Sequence, residues 1–163
     1  MSIEKRRVGW LDPTHHHALR ETLIHLCARY QFLCPAYCLM PDHGHFLLMG
    51  LADGSDQQLG LRFMRKDWNR LLRSSGFELQ KQAYDHVLNE SERNPSEFED
   101  TLLYVLKNPQ RGKMVEHWHE WPFLGAIAVG YPEFDPRMDL VGFLQSMWKI
   151  HNRERTRLRG DGS

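Results

Sequence analysis

From residue 18 to residue 32 the apolar positions Leu19, Leu23, Leu26 and Tyr30 recur at helical spacing, so one face of a helix is predicted there. Asp12-Pro13 just upstream is an entry signal. The pattern then shortens. AYCLM (36–40) and HFLLM (45–49) are apolar runs of strand length on either side of Pro41-Asp42, a strand–turn–strand reading. Helical period returns from Asp56 to Ser74, with Leu61, Met64, Trp68 and Leu71 on one stripe and Gly76 beyond its end. QAYDHVLN (82–89) is short and β-leaning. Asn94 as cap and Pro95 at the first helical position open another helix. Its buried stripe is Phe98, Leu102, Val105 and Leu106, and Asn108-Pro109 closes it because the residue before proline is pushed out of the helical region. An aromatic, proline-broken stretch (117–136) and a C-terminal helix near 138–155 complete the chain. Helix, two strands, helix, strand, helix predicts an α+β fold, an antiparallel sheet covered by helices.

Length and composition keep this a single domain over residues 1–163, with a basic C-terminal tail from about residue 151. The apolar share is 41% and the charged share 26%, both ordinary for a globular protein. No run approaches the roughly 18 apolar residues of a membrane span, and the N-terminus has no signal-peptide core. The expectation is a cytoplasmic protein with no membrane partner. Cys27, Cys34 and Cys38 are an odd set, which implies packing thiols and no disulfide framework.

Charge changes the picture through its distribution. Lys plus Arg and Asp plus Glu balance at 21 each, yet Arg62, Arg65, Lys66, Arg70 and Arg73 crowd one predicted helix with Asp67 as the lone acid. The tail adds Lys149, Arg153, Arg155, Arg157 and Arg159. Such stretches suit either a phosphate-binding surface or a solvated helix face.

Two places carry candidate chemistry. In MPDHGHFLL, His43 and His45 are two apart on a predicted strand, so their imidazoles share a face and lie close enough for one metal ion. His117-Trp118-His119 has the same spacing but lacks the flanking apolar runs. In YVLKNPQRG, Tyr104 lies about 145° around the helix from the middle of its apolar stripe, so it is not a core residue of its own helix. Asn108 follows one turn later on nearly the same side. A metal on the histidines could polarise a phosphate while the phenol attacks phosphorus. The phenol, ionising near pH ~10 unaided, needs help to lose its proton.

These residues carry a resemblance. MPDHGHFLL resembles the HUH motif of single-tyrosine transposases, and YVLKNPQRGKMV resembles the tyrosine motif of REP-associated tyrosine transposases. LQKQAYDHVLNESER looks like that family's linking segment and EWPFLGAIAVGYP like its tail, so the likeness runs from about residue 18 to residue 150. The resemblance implies a ferredoxin-like α+β fold, Mg²⁺ or Mn²⁺ as cofactor, and a metal-dependent single-stranded DNA endonuclease and strand-transferase. It implies a DNA hairpin as partner and a 5′-phosphotyrosine intermediate; a monomer or homodimer is the expected assembly. By matching position, Tyr104 is the nucleophile, His43 and His45 are metal ligands, Asn108 is a third ligand or its orienter, and His86 has a supporting role. Arg62, Arg65, Lys66, Arg70, Lys107 and Arg111 are the expected DNA contacts.

Three departures qualify the match. Gly112 falls one place early in the tyrosine motif, and Gly44 stands where the family has a hydrophobe between the histidines. The family also begins with a strand, whereas MSIEKRRVGW shows little strand pattern. A truncated strand, an incomplete sheet or a misplaced start would each account for that. Two competing functions follow: a hairpin-binding protein that has lost cleavage, and a zinc protein using Cys34 and Cys38 with His43 and His45.

Overall fold

The computed structural model describes residues 1–81, 94–137 and 139–160. The β-leaning segment 82–89, with His86, lies outside the described residues.

Helix α1, Pro13–Tyr30, starts where Asp12 accepts a hydrogen bond from the His15 N–H at 2.7 Å and Pro13 occupies the first turn. Its polar first turn (Thr14 to His17) carries no apolar period, so the sequence pattern sees only the later turns. Gln31, left-handed at φ 56°, stops it, and the chain passes at once into β1, Phe32–Met40. Strand β2, His43–Gly50, returns antiparallel after the two-residue turn Pro41-Asp42. Strand β3, Leu124–Ile127, pairs antiparallel with the other edge of β1, giving the order β2-β1-β3.

β1 is longer than the apolar run 36–40 because it passes through Pro35. Proline has no N–H for the ladder and is tolerated in a central strand only at an irregularity. The irregularity is present: four residues of β1 (Leu33 to Ala36) lie opposite three of β2 (Met49 to Leu47), and Cys34 to Tyr37 lie opposite Ile127 to Gly125. One extra residue in β1 is a β-bulge, which resets the side-chain alternation.

The sheet is covered on both sides. Phe32, Cys34, Tyr37 and Leu39 pack with α1 and with helix α2, Gln57–Arg73. Leu33, Ala36, Cys38 and Met40, with Leu47 and Met49 of β2, pack with helix α3, Pro95–Leu106, and helix α5, Leu140–Gly160. In α2 the buried residues are Gly60, Met64, Trp68 and Leu72; Leu61 and Leu71 of the predicted stripe are half-buried. Trp68 meets Trp10 edge-on at 5.5 Å between ring centroids. Gly76, at φ 77°, closes α2: its N–H reaches the Arg73 carbonyl while Phe77 N–H reaches that of Leu72, the pairing of a left-handed glycine cap.

Asn94 caps α3 by accepting from the Glu97 N–H at 3.0 Å. The helix ends at Leu106, earlier than the predicted Asn108. Lys107 breaks it at φ −83°, ψ 2°, and Asn108–Arg111 form the single turn α4. β3 was not predicted, because a short strand buried along its whole length has neither alternation nor length to separate it from an apolar loop. Gly125 is required there: a Cβ would stand 2.9 Å from the Tyr37 hydroxyl. Helix α5 continues to Gly160, so residues 151–160 of the basic tail are helical. Arg155 and Arg159 reach Asp53 at 3.6 and 3.2 Å.

The N-terminus holds a trace of the expected strand. Ser2 bridges to His43 and Ile3 to Leu79 as isolated pairs, followed by a 3-10 turn, Glu4–Arg6. Among the described residues no strand pairing longer than these precedes α1. Among them no helix is long and apolar enough to cross a membrane.

Candidate active site

Because the β1–β2 turn is only two residues long, His43 is the first residue of β2 and faces Met40 across the pair. His43 and His45 share parity with Leu47 and Met49, so both imidazoles lie on the α3/α5 side of the sheet. Their Nε2 atoms are 3.0 Å apart and their rings meet edge-on at 4.8 Å.

Tyr104 arrives from α3 on the same side. It is 48% exposed, while Phe98, Leu102, Val105 and Leu106 are buried, the division that the helical arithmetic predicts. Its ring stands edge-on to His45 at 6.2 Å between centroids. The Arg111 guanidinium carbon sits 4.3 Å from the Tyr104 ring centroid, a cation–π contact. The break at Lys107 is what turns α4 so that Arg111 comes back over Tyr104.

Asn108 stays with its helix. Its side-chain amide donates to the Tyr104 carbonyl at 2.8 Å and to that of Val105 at 3.4 Å, so it caps the end of α3 beside the tyrosine. Lys107 is exposed at the same break.

Asp42 was missed as a site residue. Its carboxylate accepts from His43 Nδ1 at 2.6 Å and from Arg6 Nε at 2.7 Å. A carboxylate oxygen can only accept, so Nδ1 carries the hydrogen, and Nε2 is the atom that offers the ring's lone pair when a cation binds. Its place directly before His43 was the available signal; Arg6, far upstream, offered none. Partial burial raises the Asp42 carboxyl, but the His43 hydrogen bond and the charges of His43 and Arg6 prevail and hold it below its ordinary range. Burial, with the neighbouring charges of His43, Arg6 and Arg111, pushes His45 down to about 4. His45 is therefore a neutral imidazole at neutral pH.

The donor set fits a divalent ion. Two nitrogens, each about 2.1 Å from one ion and at right angles around it, stand about 3.0 Å apart, the spacing seen here. Among the described residues no group of three His, Cys, Asp or Glu side chains comes together, so the protein brings two such ligands and leaves positions open. The four-ligand zinc reading is overturned. The bulge at Pro35 places Cys34 on the α1/α2 side and Cys38 on the other, and burial pushes the Cys38 thiol up to about 12.

Gly44 does not leave a hole. A Cβ there would come 3.0 Å from the Phe46 ring and 3.2 Å from Leu39, so the Phe46 ring fills the space that a hydrophobe at position 44 would take. Its other contact is Trp68, edge-on at 6.0 Å.

The structure does not bring the basic helix to this place. α2 packs on the α1/α2 side, across the sheet from the histidines. Arg62, Lys66 and Arg70 are exposed there; Arg70 pairs with Asp67, and Arg65 donates to the Gln80 and Lys81 carbonyls. His117 and His119 stack on each other in an exposed 3-10 turn.

No family model matches the chain. A Haemophilus influenzae protein named "Putative REP-associated tyrosine transposase" is 27% identical over 112 residues, 60% of this chain. The chain thus spans 60% of the length of the curated relative that it matches. A solved REP-associated tyrosine transposase bound to a REP hairpin superimposes with a TM-score of 0.63 over 76% of this chain and 71% of that one, at 21% identity. The chain shares the fold of REP-associated tyrosine transposases. With this likeness the chain's α+β architecture, three antiparallel strands between helical layers, is the one expected from the two motifs.

Proposed function

We propose that the chain is a divalent-metal-dependent endonuclease and strand-transferase for single-stranded or hairpin DNA, with Tyr104 as nucleophile. The single observation that carries this reading is the meeting of three side chains on one side of the sheet: Tyr104 edge-on to His45, and His45 Nε2 3.0 Å from His43 Nε2. The similarity to a protein solved with a REP hairpin supports the class of DNA.

His43 and His45 would hold Mg²⁺ or Mn²⁺ by their Nε2 atoms. When bound, the ion supplies Lewis-acid stabilisation of charge on the scissile phosphate. Tyr104 Oη attacks phosphorus, the bond from phosphorus to the 3′-oxygen breaks, and the 5′-phosphate is left on the tyrosine. The proton lost by the phenol passes to water, and the leaving 3′-oxygen gains one to become a 3′-hydroxyl. Attack by a 3′-hydroxyl reverses the step and joins strands, so the phosphodiester energy is conserved between cleavage and transfer. Arg111 holds the Tyr104 ring by its face and offers its guanidinium edge to phosphate, with Lys107 beside it. Asn108 steadies the Tyr104 carbonyl and so the end of the helix that carries the nucleophile.

The test is incubation with labelled hairpin DNA and Mn²⁺, followed by a denaturing gel. A covalent adduct is expected with the natural chain and with no Tyr104→Phe protein. An adduct from Tyr104→Phe refutes the assignment of the nucleophile. DNA retained on a native gel with no adduct under any metal establishes binding without cleavage instead.

A further inference from the structure

The N-terminal segment meets the rest of the chain through isolated bridges at Ser2 and Ile3. One set of its contacts reaches residues 78–80, and the other surrounds one residue of the site. Ile3 N–H donates to the Asp42 carbonyl at 2.9 Å, and Gly44 N–H donates to the Met1 carbonyl at 2.7 Å. The segment therefore holds the backbone on both sides of His43, with Ser2 bridging to His43 itself. Arg6 then doubles back. It donates to the Ser2 hydroxyl at 3.0 Å and lies 2.7 Å from Asp42 Oδ2, while Asp42 Oδ1 takes the His43 Nδ1 hydrogen at 2.6 Å.

The backbone that permits this is unusual. Lys5 and Arg6 are consecutive left-handed residues at φ 56° and 53°, a conformation that side-chain-bearing residues rarely adopt and that persists where surrounding contacts over-determine it. The side chains of Arg6 and Asp42 are 53% and 23% exposed, so their ion pair adds little to stability. What it does supply is direction: with one carboxylate oxygen held by Arg6, the other is aimed at His43.

We infer that Arg6 and Asp42 are positioning residues that lock His43 as its Nδ1–H tautomer, turning Nε2 toward His45 and raising the pair's affinity for a divalent cation. This rests on the metal reading of His43 and His45, but its first half is visible without metal. Carboxylate partners of this kind fix ring orientation and ligand basicity, and their loss costs metal ligands roughly 10–100-fold in affinity.

The experiment has two readouts on the intact chain at pH 8. Long-range ¹⁵N–¹H correlation on the metal-free protein reports the tautomer of each histidine, with His43 assigned through His43→Gln. Mn²⁺ titration followed by electron paramagnetic resonance gives affinity. The native protein should show Nδ1–H at His43. Asp42→Ala should release it to the Nε2–H form and weaken Mn²⁺ at least about tenfold. Asp42→Asn, which keeps an accepting oxygen without the charge, should keep the tautomer and lose affinity by less. Arg6→Ala, at an exposed side chain, should weaken Mn²⁺ about threefold, and should add nothing once Asp42 is Ala. An Nε2–H tautomer in the native protein overturns the inference, as does an Asp42→Ala protein with native tautomer and affinity. A native protein that shows Nδ1–H, loses it in Asp42→Ala and takes up no Mn²⁺ upholds the positioning of His43 and refutes the metal reading.

Discussion

The two sides of the sheet are built from the same strands and serve different ends. On the α1/α2 side the two tryptophans are enclosed: Trp68 is 2% exposed and Trp10 1%, and Phe46 closes over Gly44. On the α3/α5 side the packing is equally tight further along, around Leu102 and Met147, but it opens beyond Leu47. There His45, Tyr104 and Arg111 succeed one another without apolar cover. Alternation along β2 thus separates work from support residue by residue: His43 and His45 look toward α3, and Gly44 and Phe46 look toward the α1/α2 side. Altering one set should change chemistry with the fold intact; altering the other should change the fold.

The largest expected effect tests the first half of that division. Tyr104→Phe should lower covalent adduct formation at least about a thousand-fold, roughly 4 kcal/mol of barrier, while urea unfolding moves by less than about 0.5 kcal/mol because the side chain is exposed. A melt shifted by several degrees would mean that Tyr104 also carries packing. Next, Trp68→Ala should cost about 3–5 kcal/mol in urea denaturation, with the folded fraction still forming adduct at the native rate. Gly44→Val comes third. The new side chain enters space held by Phe46 and Leu39, a loss of about 1–3 kcal/mol by overpacking, and Phe46→Leu should recover part of it. If Gly44→Val is neutral alone, the Phe46 ring is not the filler.

Acidity probes the border between the sides. His16, on α1, is half-buried against Tyr37, with its Nε2 3.0 Å from the hydroxyl, and that burial and then the charges of Arg20 and Arg137 push it down to about 4. The unfolded chain protonates this ring near 6.5 and the folded one only near 4. Stability is therefore complete above about pH 6.5 and falls as the pH is lowered toward 4. His45 contributes a loss of the same sign. Denaturant titrations between pH 7 and pH 4.5 should show a shallower decline for His16→Gln; an unchanged slope would mean that His16 is as accessible to protons folded as unfolded. Smallest of all, Arg62→Ala with Lys66→Ala should leave cleavage of bound DNA unchanged, since both lie across the sheet. If a hairpin stem reaches that helix, the pair should weaken binding by less than about tenfold and reduce the salt slope by about two.

The elements and the two motifs were legible because they rest on local rules. The caps Asp12, Asn94 and Gly76 act within a turn of their own position, and the stripe Phe98, Leu102, Val105, Leu106 needs only helical period. The position of Tyr104 outside its stripe gave its exposure. What the pattern could not carry was decided between distant segments. β3 is four buried residues whose strand state depends on β1 being there to pair. Arg6 reaches Asp42 from a segment with no period at all. The basic helix α2 was expected at the DNA site on charge alone, and charge says nothing about which side of a sheet a helix covers. Phe46 standing in for the missing hydrophobe at position 44 is a three-dimensional substitution, invisible in a motif read position by position.

The bulge at Pro35 has a consequence of its own kind. It works as a frame shift within a strand, with one inserted residue after which inward and outward exchange places. Upstream of it Leu33 points toward α3 and downstream Leu39 points away, so the hydroxyl of Tyr37 meets His16 and not the histidine pair. Removing that extra residue would restore regular alternation with Tyr37, Cys38 and Leu39 still on their present sides, whereas adding another would turn all three over at once. An insertion beside position 35 should therefore be far less tolerable than a deletion of Pro35, which has no N–H to lose from the ladder.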